Sequence, residues 1–353
     1  MKKLILSLAA AATLMGCATD EVINSSRDAI AFDGAWVDNS TRAAYDATLD
    51  TNSLEEFHVW ATITGHKAGA NGTANIFQGE VVSKNFTEGT GNTWKYSSAN
   101  TQYWIPGNDY HFIAVANGNI NDETSVVALP ENNYMATQVK VQDASKQNDV
   151  LVAKYDVTPY ETPANGAAPA AVRFEFVHIL SKVKFTVKNT ISTNNGYSYK
   201  VDNITIHHAF QDGIYTIIDG QSGTWETRDK RYDLDFGKVV AQGNADNNAE
   251  VANIGYGAQA ESNYERLVIP HKGAINVKFH YTLLKDGAPI DEQEIILDTP
   301  SLNLEQGKAY NLLIKLGNPG EAITFELDKV KGWDNGNTTD GDGDGVKDNT
   351  PAN

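Results

Sequence analysis

The chain has 353 residues and a net charge of −17, with 28 basic and 45 acidic side chains. An acidic surface repels phosphate backbones, so the composition argues against a nucleic-acid partner. Hydrophobic residues make up 41% of the chain and there is one cysteine, so a sizeable core is expected but an internal disulfide is impossible. The length predicts two domains of roughly 150 residues each.

The N-terminus has the order of a secretory signal peptide, with Lys2 and Lys3 before an apolar run over residues 4–14. Met15 and Gly16 lead into Cys17, which is placed for acylation and for becoming the mature N-terminus. The alternatives are a buried free cysteine or a membrane-spanning helix, but the apolar run falls short of about 20 residues. The sequence therefore predicts residues 1–16 as a signal peptide and a lipid anchor at Cys17.

A short apolar strand is expected soon after the lipid site. It contains Ile30, Phe32, Trp36 and Val37, and the next basic residue is Arg42 in the order Arg42-Ala43. From the sequence alone, Arg42 also fits a solvated charge in a loop.

Alternation of apolar and polar residues recurs through the rest of the first half of the chain. It is seen over residues 57–63, 76–82, 94–96 and 103–116, whereas the apolar run in residues 148–153 predicts a buried strand. Several of these segments are rich in aromatic residues, which could form a sugar-binding platform or a core. The alternating spacing favours the core.

The clearest alternation covers residues 172–188, where two strands meet out of phase. Val172, Phe174 and Phe176 occupy even positions, whereas Val183 and Phe185 occupy odd ones. The slip between them requires a bulge, a bend or a crossing between sheets. We interpret it as a domain junction near residue 180.

Motifs in three places resemble the fimbrillin family of Bacteroidetes surface lipoproteins, which are structural subunits of a pilus. They are Phe176-x-His178-x-Leu180-Ser181-Lys182-Val183, the aromatic run Tyr103-Trp104-Ile105-Pro106 with Tyr110 and Phe112, and Gly307-Lys308-Ala309-Tyr310 before a long strand. Ile105 departs from the family pattern by separating Trp104 from Pro106.

The resemblance implies an all-β chain of two transthyretin-like Greek-key β-sandwich domains in tandem. Residues 17–42 would form a lipidated pro-segment with the first strand, residues 43–180 and 181–333 the two sandwiches, and residues 334–353 an acidic tail. It also implies export to the outer membrane and cell surface, cleavage by an arginine-specific protease between Arg42 and Ala43, and assembly with other pilus subunits by strand exchange. Arg27 is a weaker alternative cleavage site.

The tail places carboxylates at alternate positions, which is typical of a calcium loop. Asp340, Asp342, Asp344 and Asp348 are the candidate ligands, with Gly345 at the sixth position. Pro351 stands where an EF-hand has its bidentate glutamate, so we expect weak calcium binding or a solvated acidic tail.

No motif for an enzyme is recognisable in the sequence, so we expect a non-catalytic protein. His207 and His208 are adjacent, and strand alternation predicts that their rings point to opposite faces and do not share a metal. The alternative function is a surface glycan-binding lipoprotein that serves polysaccharide uptake. It would use exposed aromatic residues such as Trp60, Trp104 or Trp225.

Overall fold

In this computed structural model, the described residues fold mainly into β-strands. The structure describes residues 29–37, 54, 56–65, 73–86, 92–116, 124–127, 135–140, 147, 149–161, 170–217, 223–227, 229–244 and 248–332. These residues contain one short 3-10 helix and no α-helix. No helix in the described ranges is long and apolar enough to cross a membrane. The prediction of an all-β sandwich fold is confirmed.

The N-terminal half forms a seven-stranded sheet and a separate hairpin. Its strands are β1 (Phe32–Val37), β2 (Glu56–Gly65), β3 (Thr73–Phe86), β4 (Asn92–Lys95), β5 (Asn108–Ala116), β6 (Thr124–Val127), β7 (Met135–Lys140), β8 (Leu151–Val157) and β9 (Val172–His178), with the helix η1 (Ser98–Asn100) after β4. The strand order in the large sheet is β1-β9-β8-β5-β2-β3-β4. The sheet encloses a core of aromatic and aliphatic side chains that includes Phe57, Phe112 and Phe174.

The C-terminal half is a sandwich of two sheets. Its strands are β10 (Ser181–Asn189), β11 (Tyr197–Phe210), β12 (Asp212–Ile217), β13 (Gly223–Thr227), β14 (Arg231–Asp235), β15 (Val239–Val240), β16 (Gln259–Ser262), β17 (Arg266–Val268), β18 (Lys272–Gly273), β19 (Asn276–Lys285), β20 (Ala288–Asp298), β21 (Leu302–Asn303), β22 (Lys308–Leu316) and β23 (Thr324–Gly332). One sheet has the order β15-β16-β10-β22-β23 and the facing sheet the order β14-β11-β19-β20. Phe185, Phe236 and Phe279 lie in the core between them.

The chain crosses from the first sheet to the second between β9 and β10. Strand β9 pairs with β8, whereas β10 pairs with β22 in parallel. Ile179 and Leu180 connect the two strands and are fully buried. This crossing accounts for the change of phase, because each strand presents its apolar residues to a different core.

A small antiparallel sheet joins the two halves. Its order is β13-β12-β7-β6, so a hairpin from the N-terminal half pairs with a hairpin from the C-terminal half. A buried apolar cluster lies beside it and includes Ile113, Leu180, Tyr215 and Ile269. Gln147 adds two hydrogen bonds across the halves, to the Leu267 backbone N–H at 2.7 Å and carbonyl at 2.9 Å. The domain boundary at residue 180 stays a prediction.

Two tyrosines make the same hydrogen bonds in the two halves. The Tyr110 hydroxyl accepts from the Ile105 N–H at 2.6 Å and donates to the Tyr103 carbonyl at 3.3 Å. The Tyr310 hydroxyl accepts from the Glu305 N–H at 2.7 Å and donates to the Asn303 carbonyl at 2.9 Å. A tyrosine bonded back to the preceding backbone is a hallmark of Greek-key sandwiches. The tandem Greek-key arrangement itself stays a prediction.

Candidate functional site

Strand β1 lies at one edge of the seven-stranded sheet. It runs parallel to β9, with Phe32 opposite Val172 and Val37 opposite Phe176. The Ala31 carbonyl accepts a hydrogen bond from the Val172 N–H at 2.7 Å. An edge strand can leave a sheet without breaking the pairing of any other two strands. We call the surface that β1 covers, formed by β9, β4 and the side chains around Phe32, the β1 groove.

Phe32 fills the centre of the β1 groove. Only 5% of its surface is exposed, and its ring lies 5.6–6.5 Å from five other rings, centroid to centroid. These rings belong to Phe57, Phe77, Tyr96, Phe112 and Phe174. Edge-to-face and offset pairs of this kind add to the burial of apolar surface. The N-terminal segment therefore supplies a central residue of the core.

Ile30 fixes the entry to the groove through its backbone. Its side chain is 1% exposed, and its N–H donates to the Gln102 carbonyl at 2.8 Å. The Tyr96 hydroxyl donates to the Ile30 carbonyl at 2.8 Å. Burial raises the pKa of Tyr96, although a hydrogen bond from the Gln102 N–H partly opposes this shift. The hydroxyl therefore keeps the proton that it donates to Ile30.

Several predicted site residues lie outside the described residues. They are Cys17, Arg27, Arg42, Ala43, Asp340, Asp342, Asp344 and Asp348. Trp36 and Val37 lie in β1, but only the backbone of these two residues is described. In the described part of the chain, no cluster of three or more His, Cys, Asp or Glu side chains is arranged to hold a metal ion.

The three tryptophans considered for sugar binding have different surroundings. Trp104 is 6% exposed and packs on Tyr110 and Tyr160, so it belongs to the core, as its spacing predicted. Trp60 is half-buried beside the cluster that joins the halves. Trp225 is also half-buried, and it lines a cleft in the C-terminal half.

The expectation that His207 and His208 point to opposite faces is wrong. Their ring centroids are 3.6 Å apart, with an angle of 31° between the planes. The pairing of β11 with β14 changes register between Ile206 and Ala209, so the two histidines form a bulge. His208 has a φ of 57°, and this left-handed conformation brings both rings to the same side.

Comparison with known proteins identifies a matching family and solved structures that resemble this chain. A family model described as fimbrillin-like matches residues 41–333. A fimbrial protein from Bacteroides vulgatus has a TM-score of 0.60 at 14% identity, over 87% of this chain and 99% of that one. A fimbrial assembly protein from Parabacteroides distasonis has a TM-score of 0.43 at 12% identity, over 86% and 99% of the two chains. No curated protein matches the chain.

The fold and the edge strand β1 define a β-sandwich protein whose N-terminal segment contributes Ile30 and Phe32 to its first core. The family model covers most of the chain, and the chain belongs to the fimbrillin-like family. This is a family of fimbrial and cell-adhesion proteins at the cell surface.

Proposed function

We propose that the protein is a pilus subunit that is exported as a lipoprotein and assembled by strand exchange. The observation that carries the proposal is β1, an edge strand that places Phe32 in the core and ends shortly before Arg42 in the sequence. Cleavage between Arg42 and Ala43 breaks the covalent link between β1 and the rest of the sandwich. After cleavage, only noncovalent contacts hold β1 in its groove.

The contacts of β1 explain why release requires a replacement strand. Losing Phe32 and Ile30 from the core exposes apolar surface, which costs on the order of 1.5–3 kcal/mol for each side chain. Val172 and its neighbours on β9 also lose their backbone partners. A strand from another subunit restores both kinds of contact. The five rings around Phe32 favour a donor strand with a large apolar side chain at the matching position.

Anchoring is the second part of the proposal. Acylation of Cys17 holds the precursor at the outer membrane until an arginine-specific protease separates residues 17–42 from the subunit. Replacing Cys17 with alanine is expected to abolish palmitate labelling and to release the precursor from membranes. Retention of label in that variant would contradict the assignment.

Weak calcium binding by the four tail aspartates also stays a proposal, and calorimetry on the tail tests it.

The assembly step is tested with an Arg42→Ala precursor. Treatment with an arginine-specific protease should convert the wild-type precursor, in the presence of other subunits, into polymers that resist heating in detergent. Arg42→Ala should stay monomeric, because β1 remains tethered and occupies its groove. N-terminal sequencing of the wild-type product should begin at Ala43.

An Arg27→Ala variant is the matched control, because it removes an arginine from the same segment. It should be cleaved and polymerise like the wild type. If Arg42→Ala polymerises and Arg27→Ala does not, cleavage occurs at the alternative site. If both variants polymerise without cleavage, strand exchange triggered by proteolysis is excluded.

A further inference from the structure

A cleft of about 860 Å³ opens in the C-terminal half, far along the chain from β1. It is bounded by the end of β11, the start of β14, strand β13 and the segment from β17 to β19. Its volume is within the range of pockets that bind small ligands. The pilus assembly proposed above does not use this cleft.

The adjacent rings of His207 and His208 line the cleft, and their arrangement depends on a strained backbone. His208 adopts a left-handed φ of 57°, which is unfavourable for a residue with a side chain. Asp233 holds this conformation by accepting from His207 Nδ1 at 2.7 Å and from the His208 N–H at 3.2 Å. Burial raises the pKa of Asp233, but the hydrogen bonds from both histidines outweigh it and leave the pKa lowered. Strain retained in this way is typical of a binding site.

Aromatic and cationic groups adjoin the histidines in the lining of the cleft. The Arg231 guanidinium lies 3.3 Å from the ring centroid of Phe210, and Nη1 donates to the His208 carbonyl at 3.4 Å. The His271 ring packs on Phe210 at 5.1 Å between centroids. The Trp225 indole N–H donates to the Ile179 carbonyl at 2.8 Å, so only the ring surface of Trp225 remains for a ligand.

His271 offers a hydrogen-bond acceptor to the cleft. Its Nδ1 lies 3.0 Å from the Ile269 carbonyl, which can only accept, so Nδ1 carries a proton. Burial lowers the pKa of His271, and Arg231 adds to the shift while the Ile269 carbonyl opposes it. The ring is therefore neutral at pH 7, and Nε2 is an acceptor. A hydroxyl group is the complementary donor.

The charge of the cleft is opposite to that of the protein. Among the described residues, the lining contains Arg231 and Lys272 and no carboxylate, whereas the whole chain carries −17. This arrangement favours an anionic ligand. Strand β11 pairs on both sides at the cleft, whereas β13 and β14 are edge strands. The volume of the cleft suits a compact ligand.

We propose that this cleft binds a carboxylate-bearing sugar residue of a surface glycan. Arg231 pairs with the carboxylate, His271 Nε2 accepts from a ring hydroxyl, and the face of Trp225 packs against the sugar ring. Such a site gives a pilus subunit a contact with acidic polysaccharides that is separate from its assembly.

Calorimetry on the purified full chain tests this site with a linear trimer of galacturonic acid. A neutral galactose trimer is the uncharged probe, and a peptide of three glutamates is the acidic probe without sugar rings. We expect the uronate trimer to bind at least about tenfold more tightly than either of the others. Equal binding of the peptide would overturn the assignment to sugar, and absence of binding by the uronate trimer would overturn the site.

Single substitutions test whether the uronate trimer binds in this cleft. Arg231→Gln should weaken uronate binding about tenfold or more, whereas Lys200→Gln removes one exposed positive charge from β11 outside the cleft and should have no effect. Trp225→Phe retains a ring and should bind more tightly than Trp225→Ala. Equal affinities of Arg231→Gln and Lys200→Gln, with unchanged thermal unfolding, would contradict the proposed cleft. The same variants are also tested for cleavage and polymer formation. A loss of uronate binding is then distinguished from a failure of strand exchange.

Discussion

Tyr110 and Tyr310 form the same local hydrogen-bonded structure, one in each half of the chain. Each lies three residues after a glycine with positive φ, 76° at Gly107 and 64° at Gly307. The glycine turns the chain, and the hydroxyl then bonds to backbone groups five and seven residues before it. The two motifs were recognised from sequence as family runs, but the shared hydrogen bonds required the structure.

Removal of the Tyr310 hydroxyl should make stability less sensitive to high pH. Burial raises the pKa of Tyr310 to about 12 in the folded state, against 10.0 for the free side chain, while the Glu305 N–H lowers it in part. The folded state therefore keeps a proton that the unfolded state loses, so this stabilisation is complete below pH 10 and is lost toward pH 12.

Tyr310→Phe should cost about 1–3 kcal/mol near neutral pH, because the Glu305 N–H and Asn303 carbonyl lose their partner. Denaturant unfolding of both proteins at about pH 8 and about pH 11 measures the difference in unfolding free energy, which should shrink at the higher pH. A difference that grows with pH would contradict the assignment of the raised pKa to this hydroxyl.

The residues of the C-terminal cleft show where sequence reasoning failed. Trp225 was a candidate, but Phe210, Arg231 and His271 are separated along the chain and no short motif connects them. The bulge at His208 was also missed, because strand alternation assumes regular dihedral angles. Only tertiary pairing shows that the register of β11 and β14 changes there.

At the scale of elements, β1 was predictable and the hairpin β6–β7 was not. Ile30 and Phe32 alternate with Ala31, and both are buried as a core-facing strand requires. Strands β6 and β7 have a weak apolar pattern, and their partner β12 lies far away in sequence. Pairing at such a separation leaves little local signal, so it could not be inferred from a single sequence.

Phe32→Ala should loosen β1 and accelerate exchange after cleavage. The substitution removes the side chain at the centre of five rings and should destabilise the precursor by about 3–5 kcal/mol. Because β1 leaves more easily, the cleaved variant should polymerise with donor subunits faster than the cleaved wild type. The measurement is the rate at which detergent-resistant polymer appears.

Phe279→Ala is the matched control, since Phe279 is equally buried in the core of the C-terminal half. It should cost a similar free energy without changing the polymerisation rate. Equal acceleration by both variants would show that general instability, and not release of β1, limits assembly.

At the scale of the whole molecule, the two halves are joined by a sheet and a buried cluster to which both contribute. Strand β5 presents Phe112 and Ala114 to the N-terminal core, whereas Ile113 and Val115 face the cluster that joins the halves. Because both faces of β5 are buried, its apolar residues form a continuous run. If one face were exposed to solvent, polar residues would alternate with them. The length of the chain predicted two cores, but not the four-stranded sheet that both halves form together.

The shared sheet and cluster predict that the two halves unfold together. Calorimetry of the purified chain should give one transition whose calorimetric and van't Hoff enthalpies agree. Ile113→Asp places a charge in the joining cluster, where the side chain is 2% exposed, and should split the transition into two. Ile290→Asp is the control, because its side chain on the edge strand β20 is 53% exposed and should tolerate the charge. Two transitions in the wild type would show that the halves are energetically independent, and assembly could then act on the N-terminal half without any effect on the C-terminal cleft.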